Sequence, residues 1–256
     1  MLISSACRLA GMINKKIILL HMKKIGLIGG TSWHSTIEYY RLINELTGEK
    51  IGSQGNPDLI IYSLNIELMR EQNKEKINNA YLDISNKLKA AGAEAIIICA
   101  NTPHMVYPFV QPQIDIPILH IADAVGREAV KKGLKTLGLL GNRPTMTGDF
   151  ISVYLKENYG IDTIIPQEEF LDKSHHYVSA ELTRGIYSDE ARAFFVQQME
   201  MLKERGAEGI ILGCTELPLL IEQENFDLPL FATTHLHARM AVDFILGKET
   251  KLKEKI

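Results

Sequence analysis

The stretch Gly92-Ala93-Glu94-Ala95-Ile96-Ile97-Ile98-Cys99-Ala100-Asn101-Thr102 returns in the second half of the chain as Gly206-Ala207-Glu208-Gly209-Ile210-Ile211-Leu212-Gly213-Cys214-Thr215, with one glycine more before the cysteine. Its flanks return as well. Upstream, Ile25-Gly26-Leu27-Ile28-Gly29 matches Leu137-Gly138-Leu139-Leu140-Gly141; downstream, Asp115-Ile116-Pro117-Ile118-Leu119 matches Asp227-Leu228-Pro229-Leu230-Phe231. Three cues repeated in the same order read as an internal duplication, two similar folding units packed together. Each cue is a short apolar run bounded by glycine or proline. Between them lie stretches of helical spacing, such as Ile77 to Ala91, and another after Gly29-Gly30, where Thr31 or Ser32 caps a helix carrying Ile37, Tyr40, Ile43 and Leu46. Buried strands alternating with helices predict parallel sheets. The expected fold is therefore α/β, with two pseudo-symmetric domains, each a parallel sheet flanked by helices.

Composition narrows the function. The chain has 256 residues, 46% of them hydrophobic, enough for a sizeable core. A net charge of −3 supplies no field for nucleic acid or an acidic membrane surface. No apolar stretch approaches the roughly 20 residues of a membrane span. Three cysteines, Cys7, Cys99 and Cys214, do not make a disulfide framework, and free thiols suit a reducing cytoplasm. Residues 1–21 precede Met22-Lys23-Lys24-Ile25-Gly26, which reads as the start of the first strand. They form an N-terminal extension expected to lie outside the catalytic fold, without the pattern of a signal peptide, and Cys7 within it is given no role.

Ligands of parallel sheets gather at the carboxyl ends of the strands. Gly29, Gly30, Cys99, Asn101, Thr102, Cys214 and Thr215 all fall at such ends. The glycines do not spell the Gly-x-Gly-x-x-Gly of dinucleotide folds or a phosphate loop, though a Gly-Gly turn into a helix can offer backbone N–H groups to a carboxylate. His104, His235 and His237 come without a Cys-x-x-Cys or His-Glu-x-x-His frame, so no metal is expected. Two thiols from two related half-molecules can flank one small substrate. Inverting a carbon next to a carboxylate requires a proton removed from one face and one supplied to the other. A thiol, with a pKa near ~8.5, can do either close to neutral pH.

The chain resembles the aspartate/glutamate racemase family, which works without pyridoxal phosphate. The motifs that carry the resemblance are Ile25-Gly26-Leu27-Ile28-Gly29-Gly30-Thr31-Ser32-Trp33, Cys99-Ala100-Asn101-Thr102-Pro103-His104, Gly141-Asn142-Arg143-Pro144-Thr145-Met146 and Gly213-Cys214-Thr215-Glu216. They span nearly everything from Met22 to about Leu246. Glu216 stands where glutamate racemases carry His, which is similar to the aspartate racemase branch. The resemblance implies that Cys99 and Cys214 are the acid/base pair, with Cys99 serving the D form and Cys214 the L form. It implies a cleft between the domains lined by Gly30, Thr31, Asn101, Thr102, Thr215 and Glu216, with Lys173 and Arg70 holding substrate carboxylates. It further implies no cofactor, a homodimer, and a chain that crosses over: 22–115 plus 226–256 as the first domain and 116–225 as the second. Thr31, His34 and Ala232 depart from the branch, where Met, Glu and Asp are common. The function expected is racemisation of an amino acid, aspartate or glutamate first. The alternatives are a related cysteine isomerase of another small carboxylic acid, of hydantoin racemase or maleate isomerase type, and an amino-acid-binding remnant of low activity, suggested by Ala232.

Overall fold

The computed structural model describes residues 22–248; the N-terminal extension with Cys7 lies outside them. Eight strands form two sheets. They are β1 (Ile25–Gly29), β2 (Leu59–Ser63), β3 (Ala95–Ile98), β4 (Ile118–Leu119), β5 (Thr136–Leu140), β6 (Asp162–Ile164), β7 (Ile210–Leu212) and β8 (Leu230–Ala232). One sheet has the order β2-β1-β3-β4 and the other β6-β5-β7-β8, and every pairing is parallel. The second order is the first displaced by four strands, so the sequence repeat is also a repeat of topology. The registers agree as well. Gly26 faces Ile96 across the first central pair, and Gly138 faces Ile210 across the second.

The longer helices are α1 (Trp33–Ile51), α2 (Lys74–Ala90), α3 (Ile121–Lys131), α4 (Asp149–Tyr159), α5 (Glu168–His176), α6 (Asp189–Glu204) and α7 (Thr233–Ile245). Their starts are marked by side chains that accept a backbone N–H: Ser32 before α1, Asn73 before α2, His120 before α3 and Ser188 before α6. Helices cover both faces of each sheet, and the central strands are buried except for Thr136 at the start of β5. Gly30 turns the chain from β1 into α1 at φ +90°. A Cβ there would lie 2.0 Å from the Leu64 carbonyl oxygen, so only glycine fits this turn.

Two expectations need correction. Strand β4, Ile118–Leu119, pairs with β3 in the first sheet, and β8, Leu230–Ala232, pairs with β7 in the second. The last strand therefore does not return to the first domain, and the division at 115/116 and 225/226 cuts across the sheets. The cause is the repeat itself, because each half uses its Asp-x-Pro strand as the edge beside its own Gly-Ala-Glu strand. Helix α7 does cross back, packing on α1 of the first half and on α3, the helix that joins the halves. The second correction concerns α1. Its buried face carries Tyr39, Leu42, Ile43 and Leu46, whereas Trp33, Ile37 and Tyr40 are exposed. Of the four apolar residues expected along α1, Ile43 and Leu46 reach the core and Ile37 and Tyr40 do not, so α1 presents a second apolar stripe outward.

Candidate active site

Within each sheet the chain leaves the first central strand toward one side and the second toward the other. The carboxyl ends of β1 and β3, and of β5 and β7, are thus the two topological switch points, where open parallel sheets form crevices. Cys99 directly follows β3 and Cys214 follows β7 after Gly213. The Cys99 N–H donates to Ile28 O at 2.9 Å, and the Gly213 N–H donates to Leu140 O at 2.7 Å. Each cysteine is therefore fastened to the neighbouring central strand.

The loops that follow β3 and β5 meet. The hydroxyls of Thr102, after β3, and Thr145, after β5, share a hydrogen bond at 3.0 Å, and Asn142 Nδ2 donates to Thr102 Oγ1 at 3.4 Å. Asn142 is held in turn by capping its own short helix, Arg143–Thr147, through the Thr145 N–H. Ser35 Oγ, in the first turn of α1, donates to Cys99 O at 2.6 Å. Thr233 Oγ1, in the first turn of α7, donates to Leu212 O at 3.0 Å. Both thiols are free and buried, with 1% of Cys99 and 8% of Cys214 exposed.

Their surroundings differ. Burial alone pushes the Cys99 thiol up. Tyr39 and Tyr81, both buried, lie within its electrostatic reach, and Tyr81 shares a hydrogen bond with Thr31 Oγ1 at 3.0 Å. Cys214 is pushed up by burial first and then by the Glu216 carboxylate, to which its Sγ donates at 2.9 Å; the backbone N–H groups of Glu216 and Leu217 act in the opposite sense. Tyr187 lies within electrostatic reach of Glu216 and Cys214 and of Glu38 of α1.

Of the residues expected in the site, Asn101 is buried with its Oδ1 unpartnered by any protein group, and Thr102 makes the bridge just described. Thr31 and Glu216 are engaged on the Cys99 and Cys214 sides respectively, and Thr215 lies between Cys214 and Glu216, half-buried. The Gly30 N–H is taken by Thr36 Oγ1 at 2.9 Å, so this amide serves the turn. Arg70 is exposed and paired with Glu67, and the Lys173 ammonium, also exposed, lies over the rings of Phe194 and Tyr177 at 5.2 and 5.8 Å. In this conformation neither cation contacts a cysteine. Ala232 is the N-cap of α7 and offers no side-chain acceptor to it, so an Asp at this place would cap the helix. Ala232 also lines an open groove of about 350 Å³ with Leu212, Pro218 and Glu222, which neither cysteine lines.

Asn142, Thr145, Ser35 and Tyr187 were not singled out from the sequence. The first two lie inside a quoted motif. The repeat itself could have flagged them, since the loop after β5 is the counterpart of the Gly-Gly-Thr-Ser loop after β1.

Beneath Cys99, His104, His120 and His237 form a buried cluster. The His104 ring centroid is 4.8 Å from that of His120 and 5.4 Å from that of His237, and His120 stacks on Tyr154 at 4.0 Å. His104 Nδ1 donates to Ala100 O and His237 Nε2 to Leu119 O, while Tyr39 donates to His237 Nδ1. Burial pushes all three rings below their ordinary value, His104 to about 4.

Residues 28–241 match the family model of Asp/Glu/hydantoin racemases. A candidate Asp/Glu racemase from Yersinia pestis is similar in structure at 37% identity with a TM-score of 0.83, covering 88% of this chain and 100% of that one. An aspartate racemase homologue from Pyrococcus horikoshii OT3 is similar at 36% identity and a TM-score of 0.79, over 88% and 99%. The broad specificity amino-acid racemase RacX of Bacillus subtilis is 21% identical over 88% of this chain and 100% of its own length. Matched over most of its length in sequence and in fold, the chain belongs to the Asp/Glu/hydantoin racemase family.

Proposed function

We propose that this isomerase is a cofactor-independent amino-acid racemase, with aspartate or glutamate as first candidates, inverting the α-carbon between Cys99 and Cys214. The reading is supported by the placement of the only two described cysteines at equivalent switch points of two repeated sheets, whose loops after β3 and β5 are joined through Thr102, Thr145 and Asn142. One thiolate removes the α-proton and the thiol opposite returns one to the other face. The unpartnered Asn101 Oδ1 suits an ammonium group, and the hydroxyls of Thr102 and Thr215 suit a carboxylate. Substrate enters as the halves part, since both thiols are buried when they are together. Lys173 holds a side-chain carboxylate after swinging off its two rings; Arg70 is the weaker candidate for that role, being already paired on the surface.

The test is incubation with single L-amino acids in deuterium oxide, with and without pyridoxal phosphate. Loss of optical rotation together with α-deuteration, unchanged by pyridoxal phosphate, is the expected outcome. Binding without exchange of any amino acid would favour the binding remnant, and turnover of hydantoins or maleate alone would favour the related isomerases.

The protein is further read as a cytoplasmic homodimer. No described helix is long and apolar enough to cross a membrane, and two free catalytic thiols need a reducing compartment. Trp33, Ile37 and Tyr40 form the outward stripe of α1, 62%, 56% and 50% exposed, which a second copy would cover. Light scattering at micromolar concentration should give twice the chain mass, and Ile37→Glu should reduce it to the monomer. A monomeric parent would refute the pairing.

A further inference from the structure

The two thiols sit in matched places but not in matched chemistry. Cys214 donates a hydrogen bond to Glu216 Oε2 at 2.9 Å, and Glu216 is buried, 6% exposed. Glu216 precedes the short helix Leu217–Leu220, and the backbone N–H groups of Glu216 and Leu217 also point to Cys214. Cys99 has no carboxylate on its thiol; burial alone acts on it. The thiol of Cys214 thus stands between two opposed influences. The carboxylate favours S–H, and the two amides favour S⁻. Moving one proton resolves the opposition. If Glu216 Oε2 takes the proton, the carboxylate becomes a carboxylic acid and the thiolate left behind remains held by the amides.

We propose that Glu216 is a positioning residue for Cys214 and its proton partner, so that one half of the site works as a thiol–carboxylate pair and the other as a lone thiol. The proposal rests on the racemase reading above. The balance is closed. Resting, the site holds Cys99–SH, Cys214–SH and one Glu216 carboxylate. The Cys214 proton passes to Glu216, and the Cys214 thiolate takes the substrate α-proton. Cys99 then gives its proton to the opposite face, leaving Cys99–S⁻ and a protonated Glu216. Proton return from Glu216 to Cys99 through solvent restores the start. One negative charge is present throughout: it starts on the Glu216 carboxylate, passes to the Cys214 sulfur, then to the substrate α-carbon, then to the Cys99 sulfur, and returns to Glu216. Tyr187, 38% exposed, lies within electrostatic reach of both Glu216 and Cys214.

The experiment is pulse alkylation with iodoacetamide across a pH series, each cysteine followed by peptide mass spectrometry, in the full chain and in Glu216→Gln. The pair predicts that Glu216→Gln lowers the pH midpoint for Cys214 by at least about one unit, because the negative charge opposing its ionisation is gone, and leaves the Cys99 midpoint in place. The alkaline limb of kcat/KM should move down by the same amount. A variant merely loosened would alkylate faster at both cysteines with no shift of midpoint, and that result would overturn the proposal, as would an unchanged Cys214. Should Glu216→Gln fail to fold, the infrared S–H stretch of the parent decides. The band lost in Cys214→Ala should lie at lower frequency than the one lost in Cys99→Ala, and equal frequencies would refute the pair. Neither the alkylation midpoints nor the infrared bands use substrate. A parent that exchanges no α-proton would therefore remove the racemase reading without moving these measurements, and an absent shift in an active enzyme would remove the pair alone.

Discussion

Cys99→Ala and Cys214→Ala should each lower racemisation by about 10⁴-fold, the upper range for loss of a positioned acid/base group. Both variants should fold, because each removes a small buried sulfur whose main-chain anchors, Cys99 N–H to Ile28 O and Gly213 N–H to Leu140 O, do not involve the side chain. The informative result is what survives. With one thiol left, an α-proton can still be removed from the face that thiol addresses and replaced from solvent on the same side. Cys99→Ala should retain exchange of the L form and Cys214→Ala exchange of the D form. Proton NMR of L- and D-aspartate in deuterium oxide reads this directly. Racemisation near the parent rate in either variant would dismiss a mechanism that needs two sulfurs.

Mild acid should unfold the protein through the histidine cluster. His104, His120 and His237 are buried and their rings are pushed below 6.5, His104 to about 4. In the unfolded chain they protonate near the ordinary value. The folded state then binds fewer protons than the unfolded state, so stability falls as pH falls. The stability is complete above about pH 6.5 and, for His104, is lost progressively until pH reaches about 4. Each ring contributes up to about 1.4 kcal/mol per pH unit in that window. Three together give about 4 kcal/mol per unit, large beside a total of about 5–15 kcal/mol for a typical domain. The thermal midpoint should be flat above pH 7 and fall steeply below pH 6. His120→Asn should flatten that fall, since one titrating ring is gone. A midpoint unchanged down to pH 4 would mean that the rings are not withheld from protons.

The sheets were legible in the chain because a strand buried on both faces has no polar positions to disguise it. Ile96-Ile97-Ile98 and Ile210-Ile211-Leu212 read at once. Strand β6, Asp162–Ile164, passed unseen, since it is three residues long, begins with an exposed Asp and lies at an edge. The face of α1 was misread because Ile37 and Tyr40 fit a helical period as well as Tyr39 and Leu42 do. Period alone does not say which of two apolar stripes meets the core. Cys99 and Cys214 were legible through the repeat, which places them without knowledge of geometry. Arg70 and Lys173 show the opposite case. Long cations leave no trace in spacing of where their heads lie, and here one sits on Glu67 and the other on two rings. The Cys214–Glu216 bond was hidden for a related reason, because whether a side chain two positions on turns back or away depends on the short helix that begins there.

The bridge across the cleft is built of hydroxyls and one amide, from Thr102, Thr145 and Asn142, with no apolar seam among them. Water can stand in for each of these partners, so breaking the bridge costs about 1 kcal/mol per bond in net terms. An interlocked apolar joint would grip far harder. Under the proposed mechanism this polar bridge would be a latch that solvent itself can lift, and lifting it would admit water to the two sulfurs at the same moment as substrate. Carbanion chemistry would then be confined to the brief dry interval after reclosure. The tempo of turnover would then belong to this breathing, on the microsecond-to-millisecond scale of hinge motions, as much as to the acidity of either sulfur.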